Sequence, residues 1–263
     1  MLNPFDFRSA AERYAQGRPY FHPHVMRRVT EYLSLTERVP WAMDIGCGTG
    51  LSTRALKEVA THIVGVDPSA AMLALAPSDP RITYVVASAE HLPTRPEPCA
   101  LMTLSSVFHW LASDAFFAQA YRALAPAGHL IVYDNYFLGQ MEGQPAFHSW
   151  WRDLFLPRYP SPPRAPVVFD TATCARHGFA VLGHERYDNQ VIFSPETLVN
   201  YVVTQSNVIA AVEGGRESIT DVRQWLMTGT ESLFGPRPDA RFLFAGPIWY
   251  LRKAERGDAD SVG

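Results

Sequence analysis

Cysteine is scarce: Cys47, Cys99 and Cys174 are the only three in 263 residues. An odd number at wide spacing offers neither a disulfide framework nor paired zinc ligands, and it fits a reducing compartment. Long apolar runs are missing as well, since no stretch reaches the roughly 18 residues that announce a membrane span. There is no basic excess. The chain sets 23 Lys and Arg against 26 Asp and Glu, a net charge of −3, without the clustered positive charge of a nucleic-acid binder. Its nine histidines show no H-E-x-x-H or comparable ligand spacing, so no metal site is expected. The opening MLNPFDFRSAAERYAQGRPYFHP is polar and broken by proline, unlike a cleaved leader or a lipidation signal. The expectation is a cytoplasmic globular protein with neither membrane nor nucleic acid as partner.

From residue 24 to about 135, helical patterns alternate with short apolar runs: WAMDI, HIVGVD, ITYVV, ALMTLSS and HLIVYDNY. Runs that are apolar throughout, rather than at every second position, belong to a parallel sheet covered on both faces. The pattern predicts an α/β fold: a doubly wound, Rossmann-like, mostly parallel sheet of seven strands with helices on both faces and a helical, aromatic cover. The expected organisation is an N-terminal helical lid over 1–33 and a nucleotide-type core over 34–135. A cap with a connector follows over 136–185, since 157–166, PRYPSPPRAP, holds five prolines in ten positions. Edge strands with cover helices over 186–252 and a disordered tail over 253–263 complete the chain. Ligands of such sheets bind beyond the carboxyl ends of the strands.

After the first strand comes DIGCGTGLS, with Gly46, Gly48 and Gly50 spaced G-x-G-x-G ahead of a helix. Glycines at that turn permit positive φ and close approach of a ligand. Asp67 ends the second strand, seventeen residues after Gly50, where a carboxylate can accept from both hydroxyls of a ribose. A dinucleotide fingerprint is G-x-G-x-x-G over a pyrophosphate. Here the third glycine comes one residue early, and Asp44 places a carboxylate near the turn, which repels an anion but suits an amino-acid cation and a sulfonium. The pattern favours S-adenosylmethionine over a nicotinamide cofactor.

DIGCGTG, VDPS, ASAEHLP and the strand ending SSVFHW resemble the successive motifs of class I S-adenosylmethionine-dependent methyltransferases, over roughly residues 10–135. The similarity is greatest to the small-molecule group that includes trans-aconitate methyltransferases, with YAQGRPYFHP resembling its Y-x-x-x-R-P segment, and more distant to the quinone-biosynthesis enzymes. The resemblance implies S-adenosyl-L-methionine as cofactor, S-adenosyl-L-homocysteine as product, no metal, and a small-molecule substrate. It implies that Gly46, Gly48 and Gly50 line the methionine moiety, that Asp67 binds the ribose, and that Pro68 and Ser69 border the adenine. Ser88 stands where the family commonly has an acid for the adenine amino group, so that contact passes to Ser88, the Ala89 backbone or Glu90. Ser105 and Ser106 face the methionine ammonium, and Tyr14 and Arg18 close over the cofactor, Arg18 toward the methionine carboxylate. The oligomeric state, monomer or homodimer, is left open.

Methyl transfer from a sulfonium is an in-line displacement, for which alignment and exclusion of water contribute roughly 7–11 kcal/mol. A carboxylate acceptor is ionised at neutral pH and needs no base, whereas a hydroxyl, amine or carbon acid must lose a proton. His109 sits just beyond the fourth strand, and three roles compete for it: catalytic base, contact to cofactor or substrate, or a purely structural bond at a helix start. Trp110 packs, or walls the sulfonium through a cation–π contact. Phe147, Trp150, Trp151, Phe155 and Tyr159 form an aromatic group, core of the cover or wall of an apolar substrate pocket, with Trp151 the substrate-binding candidate. The run TQSNV interrupts an otherwise apolar helical pattern, so Gln205 and Asn207, with Tyr201 one turn earlier, are candidates to face the substrate. The expected reaction is O-methylation of a carboxylate or hydroxyl; C- or N-methylation is the alternative, followed by a nicotinamide-dependent oxidoreductase or a non-catalytic S-adenosylmethionine-binding module. A carboxylate acceptor further predicts that several of Arg152, Arg158, Arg186 and Arg216 converge on one pocket.

Overall fold

The computed structural model describes residues 7–94, 97–161 and 169–254. The expected tail from residue 255 onward and the connector's prolines at 162, 163 and 166 lie outside the described residues. In chain order, α1 (Arg8–Gly17) and α2 (His22–Tyr32) precede β1 (Val39–Ile45), α3 (Leu51–Ala55), β2 (Ala60–Asp67), α4 (Ala70–Leu73) and β3 (Ile82–Val86). Next come β4 (Cys99–Ser105), α5 (Ser113–Ala123), β5 (Leu124–Tyr133), β6 (Tyr136–Met141), α6 (Pro145–Trp150) and α7 (Leu156–Arg158). The last elements are α8 (Thr171–Arg176), β7 (Phe179–Phe193), α9 (Pro195–Val202), α10 (Ser206–Glu213), α11 (Ile219–Phe234) and β8 (Ala240–Lys253). Among the described residues no helix is long and apolar enough to cross a membrane.

The chain divides into two compact units. The first takes its described residues from 20–134, 164–187 and 247–263. Here β1 pairs in parallel with β2 and β4, β2 with β3, and β4 with β5, giving the order β3-β2-β1-β4-β5; the end of β8 runs antiparallel to β5, Leu130 opposite Leu251. The continuous apolar runs have a simple cause. Met43, Ile45, Met102, Leu104, Leu130 and Val132 point to one face, against Phe116, Phe117 and Ala120 of α5. Ala42, Leu101 and Ile131, which alternate with them, point to the other, against Val25, Met26 and Val29 of α2 and Ala55 of α3. Each large side chain so buried contributes roughly 1.5–3 kcal/mol.

STRALKEVA, residues 52–60, reads as one helix in the sequence, but the helix formed there is shorter. It ends at Ala55, passes into a 3₁₀ turn at Leu56–Glu58, and yields to β2 because the Val39 N–H donates to the Val59 carbonyl at 2.8 Å and pairs Val39 with Ala60. Sheet pairing outcompetes a helical continuation of modest propensity. The doubly wound, mostly parallel plan stands, with eight strands rather than seven among the described residues.

The second unit takes its described residues from 1–19, 135–163 and 188–246. The added strand β6 belongs to it and pairs antiparallel with the first part of β8, Phe137 opposite Phe244. Its interior is aromatic: Phe147, Trp151, Phe155, Tyr159, Phe193, Phe242 and Phe244 form one buried cluster with Val199, Val202 and Leu226. The continuous helix predicted over PETLVNYVVTQSNVIAAV is instead two. α9 ends at Val202 and Gln205 adopts extended φ/ψ as the N-cap residue of α10, so Gln205 and Asn207 are not on the helix face of Tyr201. Thr204 supplies a local bond that competes with a helical backbone, its hydroxyl donating to the Tyr201 carbonyl.

Candidate active site

The turn between β1 and α3 hangs from the second strand. The N–H groups of Gly46 and Cys47 donate to the Val66 carbonyl at 2.7 and 3.1 Å, and Gly46, Gly48 and Gly50 hold φ of +66°, +54° and +81°. A Cβ on Gly46 would stand 2.4 Å from the Val107 side chain, so both conformation and space require glycine there. Asp67 crosses to the same turn. Its two carboxylate oxygens accept from the N–H of Gly48 and of Ser69, each at 2.8 Å. Ser69 in turn caps α4, accepting from the Met72 N–H, while Pro68 is exposed beside it.

Asp44 lies beneath the turn rather than beside it. Its side chain is fully buried, one oxygen accepting from Ser52 at 2.6 Å and Thr53 at 2.7 Å, the other from Thr103 at 2.9 Å. Burial pushes the carboxyl from 3.8 up to about 6, against the pull of the three hydroxyls and with a further push from Asp67. The expectation of a carboxylate close to a ligand is thus met by a buried brace joining β1, α3 and β4. Ser52, Thr53 and Thr103 were not singled out from the sequence. Their signal was a run of hydroxyls just after the glycines and a lone polar residue inside an apolar strand.

At the end of β3, Ser88 shares a hydrogen bond with His91 Nδ1 at 3.2 Å, Ala89 is buried, and a Glu90 oxygen accepts from the Ala112 N–H at 3.2 Å, satisfying a donor at the start of α5. At the end of β4, Ser105 is half-buried and Ser106 takes φ +59°, its N–H bonded to the Tyr133 carbonyl. The chain then makes one 3₁₀ turn, Phe108–Trp110. Phe108 pins it against Phe116, Phe117 and Phe169. His109 is half-buried with its ring 5.2 Å from that of Trp110, which is 48% exposed.

The remaining candidates lie in the second unit. The Arg18 guanidinium stands over the rings of Tyr14 and Tyr201, at 4.7 and 5.5 Å, and donates to the Thr204 carbonyl at 2.8 Å. Burial raises the Tyr201 phenol to about 12, while Arg18 and a hydrogen bond to Gln205 pull it down. Tyr14, Arg18, Tyr201 and Gln205 therefore form one group. Asn207 faces elsewhere: its amide donates to the Tyr159 carbonyl at 2.7 Å, and its oxygen accepts from the Val208 N–H. Trp151, 6% exposed, stacks on Phe155 at 3.8 Å inside the aromatic cluster. The four arginines do not converge. Arg152 pairs with Asp153 and Arg158 with Glu217, and Arg186 and Arg216 are exposed.

Residues 43–132 match the family described as "Methyltransferase domain". Over that stretch, about a third of the chain, the sequence is similar to methyltransferase domains. Similar proteins include "Probable S-adenosylmethionine-dependent methyltransferase CRG1" of Saccharomyces cerevisiae, 28% identical over 47% of this chain and 44% of that one. The mitochondrial ubiquinone biosynthesis O-methyltransferase of Mus musculus is 31% identical over 34% of this chain and 27% of its own. The chain therefore spans less than half the length of these curated relatives. In fold, the chain resembles a solved structure from Anaeromyxobacter dehalogenans described as a "Putative Type II Methyltransferase", with a TM-score of 0.69 at 21% identity, covering 88% of this chain and 96% of that one. The [4+2]-cyclase SpnF has a similar fold, with a TM-score of 0.52 at 18% identity, covering 88% of this chain and 80% of that one. A methyltransferase fold by itself does not decide the reaction.

Proposed function

We propose that the protein transfers the methyl group of S-adenosylmethionine to an oxygen of a small molecule, a hydroxyl in preference to a carboxylate. The observation that carries the cofactor is the positive-φ glycine turn with the Asp67 carboxylate set against it. The backbone N–H groups of Gly48 and Ser69 hold the Asp67 carboxylate at the end of β2, where it is to accept from a ribose. The residues present fit the group. Gly46, Gly48 and Gly50 leave room at the backbone for the methionine moiety, while Pro68, Ser69, Ser88, Ala89 and Glu90 border the adenine. Ser105 and Ser106 accept from the ammonium.

Bound S-adenosylmethionine supplies a methyl group already activated on a sulfonium. The chain's own residues then align the acceptor and exclude water. Trp110, exposed at the end of β4, offers a flat apolar wall, and His109 beside it takes the proton that a hydroxyl must lose. The preference for a hydroxyl rests on the arginines: a carboxylate acceptor needs cations to hold it, yet Arg152 and Arg158 are neutralised by their own neighbours. Titration calorimetry with S-adenosylhomocysteine tests the cofactor. The expected result is saturable binding that Asp67→Ala abolishes; no binding by the unaltered protein overturns the reading. For the acceptor, transfer to a panel of phenols with a rate that falls at low pH, and a flat profile in His109→Asn, is expected. Transfer to carboxylic acids alone refutes the hydroxyl.

A further inference from the structure

Along the face of the sheet that packs on α2 and α3, the strands are apolar until their last rows. There Ala42, Leu101 and Ile131 give way to Asp44, Thr103, Ser105 and Tyr133, residues two or four further along the same strands and hence on the same side. Asp44 and Thr103 bond to one another. Ser105 and Tyr133 are register partners across β4 and β5 with side chains on that same face, and the Ser105 hydroxyl draws the buried Tyr133 phenol down against the push of its burial. On its far side that hydroxyl lies 3.0 Å from Nδ1 of His22, at the first turn of α2. Tyr133 is 1% exposed and His22 6%, so this pair is shielded from solvent behind the half-buried Ser105. Phe21 packs on the His22 ring at 4.1 Å and Tyr133 meets it edge-on, which holds the imidazole in place.

We propose that His22 and Tyr133 are positioning residues that fix the Ser105 hydroxyl as a pure acceptor toward the cofactor's ammonium. The logic is one of proton counting. A tyrosine hydroxyl and a serine hydroxyl each carry one proton. With Nδ1 of His22 unprotonated, the Tyr133 proton is directed to it, and the phenol oxygen is left to accept from Ser105. The Ser105 proton is thereby spent inward, and both lone pairs remain for a cation at the carboxyl end of β4. Without the relay the Ser105 hydroxyl rotates freely and presents its proton to the ammonium for part of the time. A chain of hydrogen bonds with one direction also polarises each member, strengthening the last acceptor.

This inference rests on the proposed reading that Ser105 meets the methionine ammonium, and the test separates the two. Calorimetry with S-adenosylhomocysteine is run on the unaltered protein, Ser105→Ala, Tyr133→Phe, the double variant Ser105→Ala/Tyr133→Phe, His22→Leu and His22→Asn, each with its thermal midpoint recorded. The two single hydroxyl deletions are expected to weaken binding about tenfold each, the scale of one hydrogen bond to a charged group. The double variant binds no worse than Ser105→Ala, because Tyr133 acts through Ser105. His22→Leu loses affinity while His22→Asn, whose oxygen can occupy the Nδ1 position, restores it. In the unliganded protein, nitrogen NMR of His22 is expected to find Nδ1 without a proton.

Tyr133→Phe binding as tightly as the unaltered protein overturns the proposal, as do multiplicative losses in the double variant or a protonated Nδ1. Should Tyr133→Phe fail to fold, the His22→Leu and His22→Asn pair decides alone, since equal affinities in those two refute the relay. If the unaltered protein does not bind S-adenosylhomocysteine, the proposed function falls, and the Nδ1 measurement still judges the relay.

Discussion

Replacing Asp44 by asparagine tests the energetics of the brace under the glycine turn. The carboxyl is wholly buried, and its three hydroxyl partners do not fully offset the loss of water, leaving it raised from 3.8 to about 6. Between those values the folded protein holds a proton that the unfolded chain has released, so stability falls as pH rises through that window and the cost is complete above it. From 3.8 to about 6, at about 1.4 kcal/mol per pH unit, the cost comes to about 3 kcal/mol. Asparagine keeps the shape: its oxygen can accept from Ser52 and Thr53, and its NH₂ can donate to the Thr103 hydroxyl. The Thr103 proton then loses its acceptor, which returns about 1 kcal/mol. A net gain of about 2 kcal/mol at pH 8 corresponds to a melting temperature higher by roughly 4–8 °C for a chain of this size. The gain should shrink toward zero, or reverse, by pH 4. Scanning calorimetry of both proteins from pH 4 to 8 measures it. A variant less stable than the parent at pH 8, or a difference that does not change across that range, refutes the argument.

Gly46→Ala is expected to lower the melting temperature and weaken S-adenosylhomocysteine binding by tenfold or more, because φ of +66° and the Val107 side chain both exclude a methyl group; calorimetry reads both. Trp151→Ala removes a buried stacked indole and should cost about 3–5 kcal/mol in denaturant unfolding, whatever the substrate. Asn207→Ala leaves the buried Tyr159 carbonyl without its donor and should destabilise by about 1–3 kcal/mol, with cofactor affinity unchanged in calorimetry.

The parallel core and its glycine turn were legible because both are local. Apolar runs at regular intervals state which strands are covered on two faces, and G-x-G-x-G between a strand and a helix states where positive φ is needed. Other features depend on partners that are remote in the chain, and periodicity carries no record of them. Asp44 meets Thr103 across 59 residues, Asn207 meets Tyr159 across 48, and His22 meets Tyr133 across 111. The same distance effect reassigned the TQSNV segment: its polar side chains suggested a face of one helix, but the chain breaks there and sends Gln205 and Asn207 to different neighbours. Amino-acid order alone thus settled the fold class and the position of the turn, since these follow from spacing along a few dozen residues. That Asp44 is buried against three side-chain hydroxyls and that Trp151 stacks inside an aromatic cluster was decided by packing, because burial and hydrogen-bond partnership exist only once distant segments meet.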